Sequence, residues 1–535
     1  MRVPSRACKS LSLNGSLQAP IDSKLSLPSA GMAATAAFAA IFMLAGCQSS
    51  LAPSQFATEN GNAQTASAQN GNAHNGNAPA SNTNSGSQGS NSSSSNSSSS
   101  SSSSSNNSSS SSSSSQSSTG ASSSTTAQTN SSLPSVQAYP SDSFVDSIGV
   151  GTHMTYTDTN YYLEWPTVFY DLQWLGVRHV RDGYYNFPAG TPYVAEHQQL
   201  ASAGIKTDYV MPYNTATTSA TVASIARQVD DMEAVEAPNE CDLAGDCGST
   251  AAQSMANMLA FLPIVDASGS AVGVPVLGPS LANYTAYAQV GNLASEMTDN
   301  NLHVYFGGRN PGSQGWGGFD AEGNSYGSIP FWLDMANEDA PNVPVMITET
   351  GYVMVPQPQP YNIPPATGAS YIPRTLLLTY AAGVKRTYIY ELLDEVSSPG
   401  YGLIDGNMNP KPAFLAVQNL IANLWDEGPS FTPGKLAYSL TGGGSTLKQL
   451  LFQKRDGSFW LVLWLEQSSY DEINLVETPV TPQTVTLTLN NNYAVTNIGA
   501  IGTTGNMTWI STNAAAPSQS ILVSDQVTIV KILPN

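Results

Sequence analysis

Charge is what this 535-residue sequence has least of. Asp, Glu, Lys and Arg make up 10% of it, against roughly 25% in an ordinary globular protein. The shortage is one-sided, since 18 Lys+Arg face 38 Asp+Glu and leave a formal net charge of −20. A chain of that sign has no long-range attraction for nucleic acid or for an anionic membrane, so both are set aside as partners. Between residues 60 and 141 there is no charged side chain at all. The remaining globular part is still sparsely charged, and such a surface changes little in charge across acidic pH.

Histidine and cysteine are scarce too, with five and four copies. So few histidines, with no ligand pairs at helical or strand spacing, argue against a metal-dependent hydrolase. No metal and no cofactor is expected. Cys8 and Cys47 lie near the start, leaving Cys241 and Cys247 in the globular part. In an exported chain a lone close pair is most simply a disulfide. The alternative, a metal site, would find only Asp242 and Asp246 nearby.

Long hydrophobic runs are missing where a membrane span would need them. The stretch GMAATAAFAAIFMLAGC, preceded by Arg2, Arg6, Lys9 and Lys24, is short and Ala-rich and suits the apolar region of a signal peptide. Its end, Leu44-Ala45-Gly46-Cys47, resembles the bacterial lipobox. The resemblance implies cleavage before Cys47 and lipidation of its thiol. Gln48 in the next position resembles an outer-membrane rather than an inner-membrane lipoprotein. The plainer alternative is an ordinary cleaved signal with a chance cysteine. The expected location is exported: outer membrane, cell surface or secreted, with the membrane touched only through the N-terminal lipid.

Four segments are expected: a signal peptide at 1–46, a disordered tether at 47–136, a barrel at 137–426 and a β-sandwich at 427–535. The tether is Ser, Asn, Gly, Gln, Ala and Thr, a composition that buries too little apolar surface to offset chain entropy. From about residue 142, short apolar runs such as SIGVGTHM, VRHVRDG, MEAVEAPNE and VPVMITETG alternate with longer amphipathic stretches. Eight such units predict an α/β fold, a (β/α)8 TIM barrel. The first strand is not followed by a Gly-rich phosphate loop, which argues against a doubly wound sheet. After Trp425 the pattern becomes short β-rich runs, opening with a hairpin around Arg455-Asp456-Gly457.

A barrel places its chemistry at the C-terminal ends of its strands. The last polar residues of the expected strands are His153, Arg181-Asp182, Tyr213-Asn214, Asn239-Glu240, Ser280, His303 and Tyr305, Glu349 and Glu391. Glu240 ends strand four and Glu349 ends strand seven, facing each other across the mouth. Two converging carboxylates are what glycosidic bond cleavage needs: one protonated for the leaving oxygen, the other ionised to attack or to activate water.

Asn239-Glu240, Thr348-Glu349 and His303-x-Tyr305 resemble clan A glycoside hydrolases over about 142–425 and the β-domain that follows, closest to family 39 with families 5 and 30 nearby. The resemblance implies a retaining glycosidase with Glu240 as acid/base and Glu349 as nucleophile. It implies that Asn239 binds the sugar 2-hydroxyl, that Tyr305 contacts the nucleophile and that Arg181 keeps it ionised. The sequence departs from the clan at strand eight, where a tryptophan platform is usual and YIYELLDE stands instead. Tyr390, or Trp316 in the Gly-rich loop after strand six, is expected to supply the stacking face. Glu391, Asp394 and Glu395 are candidates for sugar hydroxyls. The Cys241–Cys247 staple is expected to fix the segment beyond Glu240.

Plainer readings stand beside these. Glu349 alone could be a structural strand-end acid, His303 a satisfied core histidine, and Arg181-Asp182 an internal ion pair. His153 is evenly balanced between ligand contact and packing. Trp316 and Tyr326 fit a sugar-stacking lid or a packed loop equally well. For the whole chain, the expected partner is a poly- or oligosaccharide. Alternatives are a non-catalytic glycan-binding lipoprotein on a degenerate barrel, and a transglycosylase using the same two glutamates.

Overall fold

The structure, a computed structural model, describes residues 133–186, 190–245, 247–312, 315–396, 398–511 and 518–535. The segment expected to be a signal peptide, Cys47, most of the expected tether and Asp246 lie outside the described residues.

Eight parallel strands form the larger sheet: Ile148–Gly151, His179–Gly183, Lys206–Val210, Met232–Glu236, Val276–Leu277, Asn300–Tyr305, Val345–Gly351 and Thr387–Ile389, strands one to eight below. Their spatial order is five-four-three-two-one-eight-seven-six. A parallel bridge between Leu277 and Asp299 joins the two edges. This is the (β/α)8 barrel that the alternation of runs predicts, with seven strands inside their expected segments and the sixth beginning one residue early, at Asn300. The ladders are shorter than the apolar runs. Strand four stops at Glu236, just short of Pro238, which has no N–H to give a neighbour. Asn239 and Glu240 therefore stand on the loop above the barrel.

Helices cover the outside, among them Trp165–Leu175, Pro192–Ser202, Ser219–Val229, Ala251–Val272, Ile329–Asp339, Pro365–Ala381 and Pro412–Leu424. Five of these carry proline in the first turn, where an N–H would have no partner in any case. Thr218 starts another by accepting from the Thr221 N–H at 3.3 Å.

Side chains alternate across each strand. On strand two, Val180 joins the core under the helices, and Asp182 approaches His197 of the next helix at 3.8 Å. His179 and Arg181 face the barrel interior. That interior is polar: Arg181, Asp208, Glu236, Asn301 and Thr348 are all buried, where barrels more often stack branched aliphatic side chains.

The second domain is a β-sandwich. Its six-stranded sheet runs in the order Met507–Ser511, Tyr493–Ile501, Thr528–Pro534, Phe459–Leu465, Leu447–Gln453 and Tyr139–Pro140. Its four-stranded sheet runs Ser135–Gln137, Lys435–Gly442, Gln483–Leu489 and Ser518–Val523. The hairpin at Arg455-Asp456-Gly457 is present, with Phe452 opposite Trp460. Strand Phe459–Leu465 is buried throughout. Leu461 and Leu463 enter the sandwich core, while Trp460, Val462 and Trp464 enter the cluster shared with the barrel. Burial on both faces explains a run of seven apolar residues with no alternation. Residues 135–140 pair into both sheets, Ser135 opposite Ala437 and Tyr139 beside Phe452. The chain thus contributes to the sandwich before it enters the barrel.

Candidate active site

The site grows out of strand two. The Arg181 guanidinium makes two bonds to Glu236, Nε to Oε2 at 2.9 Å and Nη2 to Oε1 at 2.7 Å. This fork fixes the plane of the guanidinium. Its other hydrogens then reach Glu349 Oε1 at 2.7 Å and Asn239 Oδ1 at 2.8 Å. One cation from below the mouth thus holds the glutamate of strand seven and the amide of loop four. Asn239 spends its oxygen on Arg181, so its NH2 is the end that can meet a ligand.

Glu349 accepts a second bond from the Tyr305 hydroxyl at 2.8 Å. Glu240 is held differently. Its backbone takes φ 45°, a left-handed conformation uncommon for a side chain of this size, and its N–H donates to the Ser280 carbonyl at 3.1 Å. Oε1 of Glu240 meets His303 Nδ1 at 2.7 Å, and the same nitrogen lies 3.6 Å from Glu349 Oε2. One atom each of Glu240, His303 and Glu349 lie within 4.8 Å of one another. Behind them, His303 Nε2 meets Thr348 Oγ1 at 3.2 Å, and that hydroxyl donates to Asn301 Oδ1 at 2.6 Å.

The two carboxyls sit in opposite electrostatic settings. Burial pushes Glu240 up to about 7; the Glu349 charge adds to the rise, while His303 opposes it. Burial also pushes Glu349 upward, but His303, Arg181 and the Tyr305 hydroxyl outweigh it and hold the carboxyl below its usual value. Burial likewise opposes the charge on His303, yet Glu349 and Glu240 raise it above its usual value.

These three side chains have the spacing of a metal site. Both oxygens of Glu349, however, already accept from Arg181 and Tyr305, and a guanidinium 2.7 Å from a ligand oxygen repels a second cation. The donor set fits a carboxylate pair better than a metal centre.

An aromatic wall runs away from Glu349. Tyr305 meets Tyr401 edge-on at 5.7 Å, Tyr401 meets Tyr390 at 5.5 Å, and Tyr390 meets His153 at 5.7 Å. His153 stacks on Tyr156 at 4.7 Å, and burial lowers it to about 4. Tyr390 and His153 therefore belong to the neighbourhood of the carboxylates.

Several expected residues do not. Asp182 is on the far side of strand two, accepting from the N–H groups of Met154 and Gly183 at 3.1 and 2.7 Å, so it forms no internal pair with Arg181. Glu391 is fully buried. It accepts from Tyr161 at 3.2 Å and from Ser398, and lies 3.4 Å from His153. Asp394 accepts from Gly400, Gly402 and Lys411. The loop after strand eight folds back on these acids, which corrects the expectation that they face sugar hydroxyls. Trp316 packs against Tyr284, Phe331 and Trp332 at 5.7–6.0 Å, the packed-loop reading of its segment. Cys241 and Cys247 form a disulfide. The neighbouring Asp242 adds a second tie, accepting from Ala282 N–H, Asn283 N–H and Asn283 Nδ2 at 2.8–2.9 Å.

Glu236 and Tyr401 were missed from the sequence. Glu236 carried a signal: it is a charge inside the apolar run MEAVEAPNE, and a charge within a strand needs a partner. Tyr401 carried none, because it arrives on a loop.

No family model matches the chain, and no curated protein matches it. Among solved structures it is similar to a β-glucuronidase from an uncultured Clostridium species, at 15% identity and TM-score 0.36, over 52% of this chain and 50% of that one. The chain thus spans about half the length of that relative. It is similar to a family 128 endo-β-1,3-glucanase from Amycolatopsis mediterranei, at 19% identity and TM-score 0.33, over 51% and 99%. It is also similar to the family 53 catalytic domain of Ignisphaera aggregans, at 12% identity and TM-score 0.37, over 54% and 99%. All three are glycoside hydrolases.

Proposed function

We propose that this protein is a retaining β-glycosidase acting on an extracellular polysaccharide or oligosaccharide. The observation that carries the reading is the carboxyl pair: oxygens of Glu240 and Glu349 within 4.8 Å, one carboxyl raised to about 7 and the other lowered. Inverting enzymes leave roughly 6.5–9.5 Å for a water between their carboxyls, whereas retaining ones bring them to about 5–5.5 Å.

In this reading Glu349 attacks the anomeric carbon as the bond to the leaving oxygen breaks, and Glu240 gives that oxygen its proton. Glu240, now a carboxylate, takes a proton from water. The water oxygen attacks the anomeric carbon and frees Glu349. Arg181 and Tyr305 keep the nucleophile ionised and aimed. The Asn239 NH2 is placed for a sugar hydroxyl, and the Tyr390–Tyr401 wall for a sugar face. The closeness to family 39 rests on Asn239-Glu240, His303-x-Tyr305 and Glu349 alone. A net charge of −20 repels polyanionic glycans and favours a neutral one. The lipobox-like Leu44-Ala45-Gly46-Cys47 supports a lipid-anchored site of action outside the inner membrane; palmitate labelling lost in Cys47→Ser would support it.

The test is sugar release from β-glucans, xylans, mannans and exopolysaccharides by the wild type beside Glu349→Gln, with the first-formed anomer read by NMR. Release by the wild type alone, as the retained anomer, is expected. The inverted anomer would overturn the retaining mechanism, and equal release by both proteins would overturn the site. Transfer to added acceptors without net release would identify a transglycosylase.

A further inference from the structure

The loop leaving strand six reads FGGRNPG, and its glycines are shaped by the second domain. A β-carbon on Gly312 would lie 2.4 Å from the Glu466 carboxyl carbon, and one on Gly308 would lie 2.8 Å from Glu472 and from the Tyr361 backbone. Both glutamates belong to the second domain, Glu466 directly after strand Phe459–Leu465 and Glu472 after Tyr470–Asp471 of a separate short pair. Glu466 accepts from Asn310 Nδ2 at 2.8 Å and from Trp464 Nε1 at 2.6 Å. It also pairs with Arg374, a fully buried cation on the helix after strand seven. Arg374 in turn donates to Asn310 Oδ1 and, at 3.2 Å, to the Gln467 carbonyl. The Glu472 side chain lies 3.4 Å from Arg309 Nε, and its carbonyl accepts from the Tyr361 N–H at 3.0 Å. The two barrel loops are tied to each other as well, Tyr352 donating to the Arg309 carbonyl at 3.0 Å.

These ties begin within a few residues of the chemistry. Asn310 follows Tyr305, which holds Glu349, and Tyr352 follows Glu349 itself. Apolar packing alone would let two domains slide, whereas a buried ion pair with several directed hydrogen bonds has one register, and removing one partner strands a buried charge. We propose that the β-sandwich is a working part of the catalytic site, with Glu466 and Glu472 as positioning residues that hold the loops after strands six and seven and so keep Tyr305 on the nucleophile. The catalytic side of this proposal rests on the glycosidase reading.

The test uses the full chain: wild type, Glu466→Gln, Gly312→Ala and Glu472→Gln, with Val485→Ala as a control in the sandwich's own core. Amide hydrogen exchange in 306–312 and 351–363 is expected to rise about ten-fold or more in the first three variants, and to stay unchanged in the control even if its melting point falls as far. On the substrate found for the wild type, kcat should drop roughly 10- to 100-fold with KM little changed. The acid limb of the pH profile should move up as Tyr305 withdraws. The other groups facing Glu349, namely Arg181, Glu240, His303, His153, Tyr390 and Tyr401, are untouched. Unchanged exchange and an unchanged acid limb in the clamp variants would overturn the proposal. If Glu466→Gln does not fold, Gly312→Ala and Glu472→Gln decide alone. A wild type that releases no sugar would remove the glycosidase reading, and the exchange measurement would still decide the clamp.

Discussion

At the scale of the residue, Glu240 and Glu349 differ only in what surrounds them. Glu240 is buried with one imidazole beside it, and Glu349 is buried with a guanidinium, an imidazole and a phenol. In the proposed mechanism the acid form of Glu240 and the ionised form of Glu349 act together, so the rate should fall on both sides of an optimum. Glu240 at about 7 sets the alkaline limb. The rate is full below it and lost as pH rises through it. Glu349, held below its usual value, sets the acid limb, and the rate is lost as pH falls through that lower value. In Glu240→Gln the alkaline limb should vanish. Turnover of natural linkages should drop about 10²- to 10⁴-fold, whereas an aryl glycoside whose leaving group needs no proton should lose far less. A pH–rate profile on both substrates checks this; an alkaline limb that survives the substitution would assign it to another group.

The pair Arg181-Asp182 marks the limit of residue-level reading. The sequence places two charged neighbours at a strand end and does not say which one faces in. The period-2 alternation decides it only once the partners of each face are known. Arg181 finds Glu236, Glu349 and Asn239, while Asp182 finds two backbone N–H groups. Asp208 is the residue no pattern announced. It is fully buried on strand three with neither oxygen accepting a bond. Burial, then the Glu236 charge, drive it well above its usual value against the pull of Arg181, and so favour its neutral form. Asp208→Asn, neutral and nearly the same shape, should keep kcat within about two-fold, while Asp208→Ala opens a cavity and should cost about 1–3 kcal/mol in denaturant unfolding. A large loss in the Asn variant would mean that the charge is used.

At the scale of the element, the barrel strands were legible because each is a short apolar run flanked by an amphipathic stretch, and that pattern is local. What lay beyond was not. Strand Ser135–Gln137 is three residues long and its partner is at residues 435–437, a pairing no local window contains. The Gly-rich loop whose Trp316 and Tyr326 fit either a sugar-stacking lid or a packed loop begins with FGGRNPG, and loop composition alone does not reveal that another domain's glutamates press on it. Loop four is the informative case. The expectation placed the burden of fixing it on the disulfide, and Asp242 adds three bonds to loop five. Hydrogen bonds to a charged acceptor contribute about 1.5–3 kcal/mol each, so Asp242→Ala should lower stability by at least about 2 kcal/mol. It should also raise KM more than the Cys241→Ser/Cys247→Ser double variant does. Melting curves and steady-state kinetics of both would decide; a double variant worse than Asp242→Ala on both counts would return the role to the disulfide.

At the scale of the whole molecule, the scarcity of charge outside is matched by carboxyls kept neutral inside. Burial raises Asp182, Glu196 and Asp339 each to about 7, and all three are buried. In the unfolded chain these groups ionise near 4. Between about pH 4 and 7 the unfolded state therefore binds fewer protons than the folded one, and stability must fall as pH rises. Each group contributes a slope of about 1.4 kcal/mol per pH unit while its two states differ fully in protonation. The contribution is complete below the unfolded value and gone above the folded one. Groups of the opposite kind are fewer in that window. His153, lowered to about 4 by burial, opposes the trend between about pH 4 and 6.5 as a single group against three. Asp146, brought down to about 2 chiefly by its bond to His179, loses its contribution only as pH falls from about 4 toward 2. The surface has too few charges to set up a strong opposing repulsion in the window between. Unfolding by guanidinium chloride should thus give a higher midpoint at pH 4.5 than at pH 7.5, at fixed salt. The difference should shrink in Glu196→Gln, which removes one titrating group and keeps its shape. A midpoint that rises from pH 4.5 to 7.5 would mean that these acids are ionised in the fold, and the polar interior would then have to be held by counter-charges rather than by protons.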